Sequence, residues 1–371
     1  MEQLVILDEI ITAHGKKIAH LTINRPGRLN VLSLAAIKDL RSNLAAIAKN
    51  DNFAAVILDG AGEKAFCAGG DVTEIVSFVQ SAQGGELNPA SEYFINEYTV
   101  DYTIHTYPKP IIIWGDGIVM GGGMGLMQGG SHRIVTEKTM LAMPEITIGL
   151  FPDVGGTWFL NKMPDKSGMF AGLTGLRMNA ADAILCNLAD HALLSSAKAD
   201  LLKSLESLEL SDNAKENNDI ITDLLENMSG QHPKLQVSEI EAHFELIEQI
   251  IDMENHVDSY HKIIEQQAHS EWMQNAVTPM VKGSPTSFAV IFEQLDPKHN
   301  LSLKEVFMKE LDMAINMTAH SDFAEGVRAL LVDKDNNPKW SPSDLSEVEQ
   351  AVVNGIFASP WSDDKHPLMD L

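Results

Sequence analysis

The segment Met143-Pro-Glu-Ile-Thr-Ile-Gly-Leu-Phe-Pro-Asp-Val-Gly-Gly156 sets two carboxylates, Glu145 and Asp153, in a run made mostly of apolar residues, proline and glycine. Acidic side chains rarely occupy such surroundings, because burying a charge is costly unless something pairs or uses it. Proline and glycine beside both acids point to tight turns rather than a helix interior, which would hold each side chain in one direction. Carboxylates held in this way in an apolar setting are what general acid/base or nucleophilic chemistry requires. Taken alone, the segment also reads as two acids on a surface loop.

Two glycine-rich turns are the next candidates: Ala65-Phe-Cys-Ala-Gly-Gly-Asp71 and Met120-Gly-Gly-Gly-Met-Gly125. Each follows a strand-like segment and precedes a helix-like one. Glycine permits positive φ and lets a ligand approach the main chain closely. Two such turns side by side could aim backbone N–H groups at one point, with a helix N-terminus adding its partial positive charge. That arrangement is an oxyanion hole, in which removing one donor costs about 3–4 kcal/mol. Close helix–strand packing is the competing reading of either cluster by itself.

Several other chemistries are excluded. There is no G-x-S-x-G elbow and no phosphate-binding G-x-x-x-x-G-K-[ST], and neither glycine cluster fits G-x-G-x-x-G. His256, His261, Glu265 and His269 have spacing suggestive of a metal site. Their charged, polar neighbours fit a solvated helix face, and no metal site is expected. Cys67, inside a glycine turn with no histidine close in sequence, reads as a small buried side chain rather than a nucleophile.

The elements that must position these residues alternate in the first half of the chain. Residues 4–11 and 17–24 read as strands joined at the His14-Gly15 turn. Ser33 reads as the N-cap of a helix over 34–49, followed by a strand over 54–59 and a helix over 92–106. Strands over 110–114 and 132–136 flank the second glycine cluster. This order implies an α/β fold with a largely parallel sheet and crossover helices. After about residue 195 the pattern becomes helical and acidic, so the expected division is 1–195 and 196–371. Within the second part, 210–218 reads as a polar linker or loop, 338–342 as a break, 345–353 as a short helix and 359–371 as irregular.

At 371 residues and 44% hydrophobic content, the chain can bury a large core. A formal net charge of −25 excludes a nucleic-acid binder that depends on a basic face. A local basic group can still hold a small anion. Two cysteines, Cys67 and Cys186, fit a reducing compartment. The first residues carry acids and no basic flank, unlike a signal or transit peptide. No apolar run approaches the roughly 18 residues of a membrane span. A cytoplasmic location is the resulting expectation.

Together the two glycine turns, the Pro-Glu segment and Asn24-Arg-Pro-Gly-Arg-Leu-Asn30 resemble the crotonase (enoyl-CoA hydratase/isomerase) superfamily over residues 21–174. The resemblance implies a core of repeated ββα units with a mostly helical C-terminal region, and association into a trimer-based or dimeric homo-oligomer. It implies an acyl-CoA thioester as substrate, with CoA part of substrate and product and no separate cofactor. By position, Gly70 and Gly122 would supply the two N–H groups that hold the thioester oxygen, with Asp71 beside them in the substrate site. Hydratases of this group pair two glutamates, and the first of those positions is Gly125 here. Glu145 followed by Phe151-Pro-Asp-Val-Gly-Gly156 resembles instead the 3-hydroxyisobutyryl-CoA hydrolase subfamily, thioesterases of valine breakdown. In that likeness Glu145 is nucleophile or base, Asp153 assists, and Glu97 contacts the substrate hydroxyl. Arg28 is placed near the CoA phosphates, or alternatively on a solvent-exposed turn. Two other readings stay open: a hydratase or isomerase using Glu145 as its single acid/base, and a non-catalytic acyl-CoA-binding member.

Overall fold

Short apolar strands and amphipathic helices alternate in the computed structural model, which describes residues 3–81, 90–228, 231–362 and 365–371. In chain order the strands are β1 (Val5–Ile11), β2 (Lys17–Ile23), β3 (Phe53–Gly60), β4 (Ala65–Cys67), β5 (Ile111–Gly115), β6 (Ile118–Met120), β7 (His132–Val135), β8 (Met140–Ala142) and β9 (His191–Ala192). β1 and β2 form the expected hairpin, in register from Val5 opposite Ile23 to Ile11 opposite Lys17. The main sheet runs β1-β2-β3-β5-β7-β9, and every pairing after the first is parallel. Parallel neighbours need long crossovers. One of these is helix α1 (Leu34–Ala48), capped by Ser33, whose side chain accepts from the Ala36 N–H. All residues of β3 are buried, as a central parallel strand requires. A second sheet runs β4-β6-β8.

The chain divides into two compact units that interleave along the sequence. One comprises Met1–Gly70, Val100–Leu141 and Met178–Ser238; the other comprises Asp71–Thr99, Ala142–Arg177 and Glu239–Leu371. The division expected at residue 195 falls inside the last stretch of the first unit. In that unit the helices Lys198–Leu205 and Ala214–Glu226 send Leu201, Leu205, Ile221 and Leu225 into a core with Ile18, Ile57, Ile112 and Ile134. Each such side chain contributes roughly 1.5–3 kcal/mol on burial.

Two sequence expectations are corrected. The polar stretch 210–218 is not a loop throughout. Asn213 accepts from the Lys215 and Glu216 N–H groups and starts the helix Ala214–Glu226, while Asn217 turns inward and hydrogen-bonds Ser211. Its polarity is that of a cap. The helix expected over 345–353 is a 3-10 turn, Leu345–Glu347, followed by a helix over Gln350–Ile356.

The second unit is mostly helical. It contains α2 (Val72–Ser81), residues 90–99 of α3 (Ala90–His105), and the helices Pro285–Gln294, Leu303–Ala319 and Ser321–Val327. Ser284 caps the first of the last three, and a Ser302–Glu305 capping box starts the second. Among the described residues, no helix is long and apolar enough to cross a membrane.

Candidate active site

In the first unit the two glycine turns are neighbours because their strands are. β4 and β6 pair in parallel, Ala65 opposite Ile118 and Cys67 opposite Val119, so their C-terminal turns emerge side by side. The approach is close enough to demand glycine. A Cβ on Gly123 would lie 2.2 Å from the Cys67 carbonyl oxygen. Gly122 opens α4 (Gly122–Gln128), where a helix leaves its first N–H groups unpaired. Among the described residues, neither the Gly70 nor the Gly122 N–H has a hydrogen-bond partner. Asn30 secures the loop that carries the Asn24–Asn30 motif: its side-chain amide donates to Ala61 and Ala65 and accepts from the Arg25 N–H.

The acids gather in the second unit. Glu145 opens a 3-10 turn, Glu145–Ile148, that ends at left-handed Gly149. It is buried, and its Oε2 has no hydrogen-bond partner. Glu97, in α3, is also buried, with Oε1 unpartnered. Asp153 is buried and accepts from the Tyr98 hydroxyl at 2.7 Å. Desolvation, then the Asp153 charge, pushes the Glu97 carboxyl well above its ordinary range. Desolvation, then Asp153 and more weakly Glu97, does the same to Glu145. Asp153 is pushed up by desolvation to about 6, and the Tyr98 hydrogen bond limits the rise. Among the described residues, no Lys or Arg acts on any of the three. Of the three, Asp153 is the one that its hydrogen bond to Tyr98 keeps nearest the ordinary range, while burial and the Asp153 charge favour the protonated form of Glu97 and Glu145.

The C-terminal helices grip the segment that carries two of these acids. Ser284 N–H donates to the Ile146 carbonyl at 3.0 Å. Gly149, at φ +69°, packs so tightly that a Cβ would lie 2.5 Å from the Asp322 carbonyl carbon. Gln294 Nε2 donates to the Pro152 carbonyl at 2.6 Å, and Glu310 accepts from the Gly155 and Thr157 N–H groups.

The structure thus brings Glu97, Glu145 and Asp153 together, and separately Gly70 with Gly122. Asp71 is buried at the start of α2, where its carbonyl accepts from Glu74 and Ile75 and its side chain from Thr73. Arg28 ends an exposed 3-10 turn, Pro26–Arg28. His256, His261 and Glu265 lie in the helix His256–Glu265, and no cluster of three or more metal-binding side chains occurs among the described residues. Cys67 and Cys186 are buried and are not joined in a disulfide. Sequence reasoning missed Tyr98 and Glu310. Tyr98 was visible only as the residue after Glu97. Glu310 was visible as an acid on the stripe of Phe307, Leu311 and Ala314, all of them buried.

This fold and site define a class. The enoyl-CoA hydratase/isomerase family profile matches residues 18–357, and the chain belongs to that family. More particularly, it is 37% identical to a mitochondrial 3-hydroxyisobutyryl-CoA hydrolase of Danio rerio, covering 95% of this chain and 90% of that one. It is 36% identical to the mitochondrial 3-hydroxyisobutyryl-CoA hydrolase of Homo sapiens, covering 93% and 87%. Among solved structures, a carnitinyl-CoA dehydratase from Mycobacterium thermoresistibile superimposes with a TM-score of 0.85 at 30% identity, covering 100% of both chains. An enoyl-CoA hydratase from Rhodobacter sphaeroides 2.4.1 gives 0.82 at 26% identity, covering 96% and 98%. The expectation of a cytoplasmic location is corrected here, because these hydrolase relatives are described as mitochondrial. Acidic composition and a charged N-terminus say nothing about where a folded enzyme resides.

Proposed function

We propose that this chain hydrolyses short-chain 3-hydroxyacyl-CoA thioesters, with 3-hydroxyisobutyryl-CoA as substrate and 3-hydroxyisobutyrate and CoA as products, a step of valine breakdown. The observation that carries this reading is the buried acid cluster, in which Glu97 and Glu145 each keep an oxygen without a protein partner. The names of the hydrolase relatives support the same reaction. The Gly70 and Gly122 N–H groups take the developing charge as the carbonyl electron pair moves onto oxygen.

Glu145 acts as nucleophile or base, and both routes begin with its proton passing to Asp153. In the base route Glu145 removes a proton from water as the water oxygen bonds to the thioester carbon. The tetrahedral intermediate then collapses, the carbon–sulfur bond breaks, and the departing thiolate takes a proton from the acid pair. In the nucleophilic route the Glu145 oxygen bonds to the thioester carbon, the carbon–sulfur bond breaks as the thiolate leaves and takes the proton held by Asp153, and water then adds to the resulting anhydride to release the acid and restore protonated Glu145. Glu97, protonated, hydrogen-bonds the 3-hydroxyl. Asp71 lines the substrate site and Arg28 meets the CoA phosphates. The scheme uses no resident cofactor, since CoA enters as substrate and leaves as product. Association into a trimer-based or dimeric homo-oligomer is part of the same proposal.

The test is thiol release from a panel of acyl-CoA thioesters. The expected result is release that is fastest with 3-hydroxyisobutyryl-CoA. The hydratase/isomerase reading draws on the dehydratase and hydratase names of the structural neighbours. It has one structural obstacle: Gly125, buried in α4, offers no second carboxylate. Double-bond formation or migration without thiol release would establish that reading instead. Binding of CoA thioesters with no turnover of any would leave a binding protein.

A further inference from the structure

Glu310 is fully buried in the helix Leu303–Ala319 and, among the described residues, pairs with no cation. A leucine at that position would fill the core without the cost of burying a carboxyl group. What the carboxyl does is accept three hydrogen bonds from the residues just after Asp153. Its Oε2 accepts from the Gly155 N–H at 2.7 Å, and its Oε1 accepts from the Thr157 N–H at 2.8 Å and the Thr157 hydroxyl at 2.7 Å. On the other side of Asp153, Gln294 Nε2 donates to the Pro152 carbonyl at 2.6 Å and also to the Thr157 hydroxyl at 2.8 Å.

Between these two anchors the backbone is unusual. Val154 has φ +53°, a left-handed conformation rare for a β-branched residue, and Gly155 follows at +86°. Such a conformation persists only where its surroundings over-determine it. The same helix sets the Phe307 ring against Gly155 and, with a centroid separation of 6.0 Å, beside Tyr98, the hydrogen-bond donor to Asp153.

We infer that Glu310, seconded by Gln294, is a positioning residue: it holds the turn at 152–157 so that Asp153 points into the acid cluster. The inference deepens the proposed hydrolase reading and rests on it for the role of Asp153. It also assigns the helical C-terminal region a task, since both anchors come from that region.

Glu310→Gln in the full chain is the sharpest test. It keeps the shape but leaves one acceptor oxygen, so an amide NH2 must face the Gly155 N–H or the Thr157 donors. Hydrogen exchange of the peptide spanning 152–158 is expected to quicken at least tenfold, with β3 and β5 unchanged. With 3-hydroxyisobutyryl-CoA, kcat is expected to fall at least tenfold while KM stays within threefold. Placed on an Asp153→Asn background, the same substitution is expected to change kcat less than twofold, because residues acting through one group do not add. Unchanged exchange at 152–158, or an equal loss on both backgrounds, overturns the inference. Should the wild-type chain hydrolyse no thioester, the reaction reading fails while the exchange measurement still decides whether Glu310 holds the turn. Should Glu310→Gln not fold, Thr157→Val removes the hydroxyl's contacts with Glu310 and Gln294 while keeping the Thr157 N–H bond to Glu310, and is expected to move exchange and kcat about threefold in the same directions; no change in either refutes the role.

Discussion

Two sets of buried carboxylates, one in each unit, are held in opposite ways. In the sheet unit, Asp59 at the end of β3 is 1% exposed, with His20 Nε2 at 2.7 Å and Lys198 Nζ at 2.8 Å. Burial pushes its carboxyl up, but the His20 hydrogen bond and the Lys198 charge outweigh that and hold it below the ordinary value. Asp190, which is exposed, is also held below its ordinary value by a cation, the Arg133 guanidinium at 2.9 and 2.6 Å. In the helical unit, Glu97, Glu145 and Asp153 are also buried, no cation among the described residues acts on them, and all three are raised. A paired buried acid is a fastener. Buried acids without a cation are costly to the fold, and a cluster of them is a candidate place for proton transfer.

The largest effect that can break this contrast is on turnover. Glu145→Gln is expected to lower kcat at least a hundredfold, within the usual range for a positioned acid or base, and Asp153→Asn to act in the same direction. Activity should also fall as pH drops through about 6, where Asp153 takes up its proton, and that limb should disappear from the kcat/KM profile of Asp153→Asn. Asp59→Asn should leave kcat per folded molecule within twofold. Equal losses from Asp59→Asn and Glu145→Gln would show that the two kinds of buried acid are not functionally distinct.

A smaller effect separates the acids within the cluster. Glu97→Gln keeps the shape but replaces the acid hydroxyl with an amide. It is expected to narrow the preference for 3-hydroxyisobutyryl-CoA over isobutyryl-CoA about tenfold, mainly through KM. The ratio of kcat/KM for the two thioesters measures it, and an unchanged ratio with a lower kcat for both would assign Glu97 to the chemistry instead.

The parts legible in the sequence were those whose cause is local. The β1–β2 hairpin follows from alternation around Gly15, and the start of α1 follows from Ser33, whose side chain caps it. The glycine turns were visible because close backbone approach admits no side chain, as at Gly123 against Cys67. Glu145 and Asp153 stood out because an acid in an apolar run is costly. What was hidden is non-local. Glu310 meets Gly155 across 155 positions of sequence, and nothing in either neighbourhood names the other. Tyr98 looked like one aromatic among several in α3, and only the fold shows that its hydroxyl is spent on Asp153. The interleaving of the units is equally non-local, since composition changes near 195 while the backbone keeps Met178–Ser238 with the sheet.

The contrast also fixes the sign of two stability changes. Asp59 has a lowered folded pKa, so its pairing stabilises the protein above the ordinary 3.8 and the gain is lost as pH falls through the folded value. Asp59→Asn should therefore destabilise at neutral pH, and the gap should close below about pH 4. Because His20 and Lys198 keep partial access to water, the expected loss is about 1–3 kcal/mol rather than the 3–5 of a fully enclosed pair. Glu145 has the opposite sign. Its folded form holds a proton that the unfolded chain releases at about 4.3, so its contribution falls as pH rises from there towards the raised folded value. Glutamine cannot ionise, so Glu145→Gln should be more stable than the parent at pH 7. At pH 4 the two should be nearly equal. Urea unfolding at about pH 3, 4, 5.5 and 7 reads both variants. Parallel pH slopes for Asp59→Asn and Glu145→Gln would mean that Glu145 is held by a partner after all, as Asp59 is, and would remove the basis for treating the acid cluster as the centre of the chemistry.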